Sequence, residues 1–186
     1  MRVAGAIALV GLLLAYATDA AARSDSCGAQ LPSSLIAAIP KAYPGYRPPL
    51  ESDNEADDID YNKAHKGSGC LGVAVGDFDG SKSKQYLLAL TSMNSQSGLV
   101  VIARSSRHGW RFRRLQDWPE LRSRLFVERV NPGRYSRTDA LSDPVKGDER
   151  QTMTCRHSGA GFGETEASEV VYCSFGNAWR YVQVSD

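Results

Sequence analysis

The chain has almost no net charge, no cysteine pair at zinc-finger spacing and no apolar run long enough to cross a bilayer, and each lack removes a class of function. Lysine plus arginine number 22 against 21 acids in 186 residues, a net of +1. The basic excess of a dedicated nucleic-acid binder is missing, so no nucleic-acid partner is expected. The four cysteines, Cys27, Cys70, Cys155 and Cys173, contain no C-x-x-C, and their separations of 43, 85 and 18 residues do not suit a zinc knuckle. No G-x-S-x-G, H-E-x-x-H or phosphate-binding glycine loop occurs, which leaves no familiar pairing of nucleophile and base. Strand and helix signals do not alternate as βαβ units, so doubly wound nucleotide-binding folds are disfavoured. What remains, 42% hydrophobic and 23% charged, has the composition of one ordinary globular domain.

The most apolar part is the N-terminus. Arg2 precedes a run from Val3 to Ala17, roughly 15 residues against the ~20 of a membrane span. Small residues follow, the pattern of a secretory signal peptide over residues 1–22 cleaved after Ala20 or Ala22. The expectation is an exported protein, periplasmic or secreted, with no membrane insertion after signal cleavage. An even number of cysteines in such a chain predicts two disulfides. Three pairings are possible, and the most local joins Cys27 to Cys70 and Cys155 to Cys173.

Residues 23–69 read as a helical segment with a proline-rich connector, and residues 70–186 as an antiparallel β region of the same domain. Leu35, Ile36 and Ile39 behind Ser33 and Ser34 predict two helical turns, with Pro40 opposing continuation. Tyr43 to Pro49 has the composition of a polyproline-like connector. A second helix is expected from Asp53 to Lys66, capped by Ser52 or Asp53, with acids at its start, Lys63 and Lys66 at its end and Gly67 beyond. Period-two and short apolar runs then mark about eight strands, at 70–76, 86–92, 98–105, 110–116, 124–130, 150–157, 168–175 and 178–184. Gly176-Asn177 fits a two-residue hairpin. The fold class expected is mainly β (α+β): antiparallel meanders forming a sandwich or curled sheet, with two short N-terminal helices.

Between two apolar strands lies Gly76-Asp77-Phe78-Asp79-Gly80. This strand, acidic loop and strand resemble the FG-GAP or VCBS type of repeat, whose loop oxygens ligate calcium. Asp77 and Asp79 match the first two acidic positions and Gly80 the first glycine. Ser81, Lys82 and Gln85 replace the third acid, the second glycine and the last acid. Calcium takes six to eight oxygens and is held largely by carboxylate charge, so no cofactor is expected. Asp77 and Asp79 are the remaining metal candidates, and a tight turn in which they bond local backbone is the simpler account. The loop has no second copy, which excludes a propeller of several blades. The C-terminal strand-turn-strand, with Tyr172 and Trp179, is similar to that of small exported bacterial proteins carrying one such loop.

For catalysis the sequence offers one pairing, His157 with Glu164 or Glu166 across the glycine-rich segment 158–163, read as a flexible hairpin tip. No catalytic residue is assigned, and the expectation is a protein without enzymatic activity. Charge distribution is more informative than its sum. Glu51 to Asp60 holds six acids and no base, whereas residues 104–129 hold eight arginines. On a strand, Arg111 and Arg113 share one face while Trp110, Phe112 and Arg114 take the other. Arg107, Trp110, Arg111, Arg113 and Arg124 are therefore the candidate partner-binding residues, because arginine forks bind carboxylates and arginine and tryptophan concentrate at interface hot spots. The expected function is an exported, non-enzymatic protein-binding or inhibitory protein, immunity-like, whose partner is a toxin or envelope enzyme. The alternatives are an envelope hydrolase or carbohydrate-binding module centred on residues 158–163, and a structural module with a degenerate calcium loop.

Overall fold

The computed structural model describes residues 25–186, so the signal-peptide reading of residues 1–22 lies outside the described residues. Among these no helix is long and apolar enough to cross a membrane. Two α-helices, α1 (Ser33–Ala42) and α2 (Ala56–Ala64), precede or flank eleven strands. These are β1 (Tyr46–Arg47), β2 (Val73–Gly76), β3 (Gln85–Ser92), β4 (Gly98–Ser106), β5 (Gly109–Trp118) and β6 (Leu125–Val130). They continue as β7 (Gly133–Ser136), β8 (Thr152–Cys155), β9 (Gly159–Glu164), β10 (Ser168–Phe175) and β11 (Ala178–Ser185). The fold is mainly β, as expected. A five-stranded sheet runs β1-β3-β4-β5 with β2 also on β3, a four-stranded sheet runs β11-β10-β9-β6, and β7 pairs with β8.

The layers follow from which strands have apolar residues on both faces. All eight residues of β3 are buried, as are the first six of β4, because Leu88, Leu90, Leu99 and Val101 pack under Leu35 and Ile39 of α1. Their alternate neighbours Leu87, Ala89, Val100 and Ile102 face the second sheet, meeting Leu125, Val127, Phe162 and Tyr172. The two sheets therefore form a sandwich. The outer face of the second sheet is covered in turn by the β7–β8 ribbon, through Met153 and Cys155 against Val171, Cys173 and Val182. Strands buried on both faces lose the polar alternation of a half-exposed strand, which is why β3 and β4 read as continuous apolar runs.

Both disulfides take the most local pairing. Cys27–Cys70 ties the N-terminal segment to the chain entering β2, with Cα atoms 4.9 Å apart, and Cys155–Cys173 ties β8 to β10 at 5.3 Å. Two disulfides suit an oxidising, extracytoplasmic environment. The β10–β11 turn is the expected hairpin, with Phe175 opposite Ala178 and a positive φ at Gly176.

The structure corrects five expectations. The eight expected strands are all represented, but β1, β7 and β9 are additional. The connector expected to be polyproline-like contributes β1, which pairs with Thr91 and Ser92 of β3. Helix α1 passes Pro40 and ends at Ala42; the proline forfeits the one hydrogen bond that a backbone N–H would give the Ile36 carbonyl, and the buried Leu35 and Ile39 anchor the helix against that loss. Helix α2 starts at Ala56 rather than Asp53, because Asp53 belongs to a preceding 3-10 turn. Its carboxylate is engaged elsewhere, taking hydrogen bonds from Arg47 (2.5 and 2.8 Å), the Leu50 amide (2.8 Å) and the Thr91 hydroxyl (2.8 Å). The largest correction is residues 158–163. They are not a flexible hairpin tip, since Gly159 to Glu164 form β9, an interior strand between β6 and β10 whose first five residues are buried. At Gly163 a side chain has no room: a Cβ would lie 1.8 Å from the Ser168 carbonyl oxygen.

Candidate functional site

The acidic loop between β2 and β3 is organised around Phe78, which is fully buried between the two sheets. The flanking aspartates close the loop over it. Asp79 Oδ1 accepts from the Ser81 amide (3.0 Å) and from the Gln85 side-chain amide, while Oδ2 accepts from Arg104 Nη1 at 3.0 Å. Asp77 Oδ2 accepts from the Lys82 amide at 3.0 Å. Burial pushes the Asp79 carboxyl up, but the hydrogen bonds from Ser81 and Gln85 and the charge of Arg104 outweigh it and hold the pKa below the usual value. The loop is thus a turn whose aspartates serve its own backbone, and Asp79 additionally orients an arginine on β4.

That arginine opens onto a cleft. Gln85 pairs with Arg104 across β3 and β4, and Arg104 pairs with Arg111 across β4 and β5. Arg104, Arg111 and Arg113 project from the face of the first sheet that turns toward the second. Opposite them stands the β10–β11 hairpin, with Gly176, Asn177 and Trp179. Together these residues enclose a cleft of about 330 Å³. Arg111 and Arg113 are exposed, and among the described residues neither has a carboxylate within 4.0 Å, whereas Arg104 is fixed by Asp79. The cleft therefore presents two free guanidinium groups and one preoriented one beside an indole, a chemistry that accepts carboxylates or other oxyanions.

The five candidate partner-binding residues do not form one surface. Arg111 and Arg113 meet in the cleft. Trp110 lies on the other face of β5, as the alternation predicts, where its ring packs edge-on against Tyr86 at 5.7 Å and its indole N–H donates to Ser34 at 3.2 Å. Arg107 is exposed in the β4–β5 turn. Arg124 is remote from the cleft, donating to Glu164 at 2.6 Å and to the Thr165 carbonyl at 2.5 Å, beside the acidic helix α2. Arg104, Asn177 and Trp179 are the residues missed. Only the β3–β4 register places Arg104 beside Asp79, and no local signal brings β11 opposite β5.

His157 does not meet either glutamate. It precedes β9 and packs on the acidic loop, where a Cβ on Gly80 would lie 2.2 Å from its Nε2. Glu164 ends β9, roughly 17 Å of extended chain beyond Gly159 at ~3.4 Å per residue, and is paired with Arg124. Among the described residues no three His, Cys, Asp or Glu side chains converge as a metal site. The chain matches no known protein family, no curated protein and no solved structure.

Proposed function

We propose that the chain is an exported, periplasmic binding protein without catalytic activity that docks an acidic protein partner at the β5 cleft, in the manner of an inhibitor or immunity protein acting on a toxin or envelope enzyme. The observation that supports this reading is the pair of exposed guanidinium groups of Arg111 and Arg113, without carboxylate partners among the described residues, converging with Trp179 on a cleft between the two sheets. An arginine paired within its own molecule has little to offer a partner. One left free keeps its whole planar fork available for a bidentate carboxylate contact, which offsets the ~0.5–1.5 kcal/mol that ordering such a side chain costs on binding. The sandwich supplies the rigidity, with two disulfides fixing its periphery, and the binding needs no cofactor.

The test captures partners from periplasmic extract and then measures association of the captured partner with the wild type and with the double variant R111E/R113E, at low and at physiological salt. Rim charges act mainly on encounter. Association of the wild type should slow as salt rises, since screening shortens to ~8 Å, and the double variant should associate at least tenfold more slowly at low salt. Equal association rates for the two proteins would overturn the proposal.

A further inference from the structure

We propose that the partner engages by strand addition: an extended acidic segment pairs with the free edge of β5 as a sixth strand of the first sheet and sends carboxylates to Arg111 and Arg113. This rests on the binding role proposed for the cleft and names its mode. Strand β5 is ten residues long and pairs with β4 alone. Among the described residues its other edge makes no backbone hydrogen bond. Strand β11, the edge of the facing sheet, differs: Tyr181 and Gln183 bond backbone of Asp148, Arg150 and Thr138, so that edge is partly covered. An edge of unpaired N–H and C=O groups is a template for another strand.

The surroundings fit an occupant. The cleft at Arg111 continues past Arg113 into a groove of about 570 Å³ between β5 and β11, with Trp179 on both stretches and Tyr181 further along. The stretch of β5 from Arg111 to Leu115 is roughly 17 Å long at ~3.4 Å per residue, enough for about five residues of extended chain. Arg111, Arg113 and Arg114 give the edge its sign, with Asp117 answering only Arg114. A second copy of the same strand would set these arginines against one another, whereas an acidic segment complements them.

The probe is a short peptide alternating glutamate and valine, with two derivatives N-methylated at one or the other set of alternate residues. A strand added to an edge turns only alternate amides toward it, so one methylated form should lose at least tenfold in affinity while the other stays within about threefold. The parent peptide should also slow hydrogen exchange at β5 backbone amides. Both methylated forms binding within twofold of the parent, with β5 exchange unchanged, would overturn strand addition. If R111E/R113E still abolishes that binding, the basic cleft stands; if it does not, the reading of the cleft falls as well. Absence of binding by the parent peptide also overturns strand addition, and the cleft is then judged by the partner's association rates.

Discussion

Replacing Arg122 should be among the most damaging single changes outside the core. Its side chain is fully buried at the start of the short 3-10 turn between β5 and β6. The guanidinium donates to the Thr91 hydroxyl at 2.9 Å, the Ala89 carbonyl at 3.0 Å, and the Asn54 side chain and Leu125 carbonyl at 3.4 Å each. Asp53, 3.9 Å away, is already held by Arg47. Burial pulls the Arg122 pKa down to about 10 and Asp53 restores only part of the loss. At ~1.4 kcal/mol per pKa unit, the charge is held at a net cost on the order of 3 kcal/mol, so attraction to Asp53 does not by itself explain the residue. Its value lies in satisfying acceptors from β3, β6 and the segment before α2 at one point. In R122A those acceptors lose their donor and a cavity opens, for an expected loss of about 3–5 kcal/mol. R122M fills the space without a donor and should lose about 1–3 kcal/mol. Urea unfolding of the disulfide-intact proteins, with unchanged denaturant slope, measures both. A loss below about 1 kcal/mol in R122A would refute the reasoning.

Three further outcomes are expected. Denatured, unreduced protein should show no thiol to a labelling reagent. C27S/C70S should lose about 4 kcal/mol and C155S/C173S about 3 kcal/mol, following their loop lengths of 43 and 18 residues, and labelling of two or more cysteines would contradict the pairing. Glu169, leaning over Gly161 with Glu128, has its pKa raised to about 7 by burial and by the Glu128 charge. The folded state therefore holds that proton more tightly than the unfolded chain, and stability should fall as pH rises from ~4.5 through 7. Solvent screening limits the loss to about 1–2 kcal/mol; E169Q should flatten this dependence, and an unchanged urea midpoint difference between pH 5 and pH 8 would count against it. Millimolar calcium or a chelator should leave the melting temperature unchanged, because both Asp79 oxygens are engaged by Ser81, Gln85 and Arg104; a reversible shift of several degrees would show that the loop binds the ion.

Local chemistry in the sequence determined a good deal of this protein. Apolar runs marked β3 and β4, alternation assigned Trp110 and Arg111 to opposite faces of β5, Gly176-Asn177 marked the last hairpin, and proximity along the chain was enough to favour the observed cysteine pairs. These features depend on residues close in sequence, so their signals survive without the fold. Tertiary structure decided the rest. Gly159, Gly161 and Gly163 carry no apolar pattern of their own, and β9 is a strand because β6 and β10 supply hydrogen bonds on both sides and close over its glycine face. Arg124 and Arg111 look equivalent in a list of arginines, yet one is bound to Glu164 and the other is free. Arg122 reads as one more surface base and is buried. Whether an arginine is paired, free or enclosed depends on which distant strand is folded against it, and only the three-dimensional arrangement of the sheets determines that.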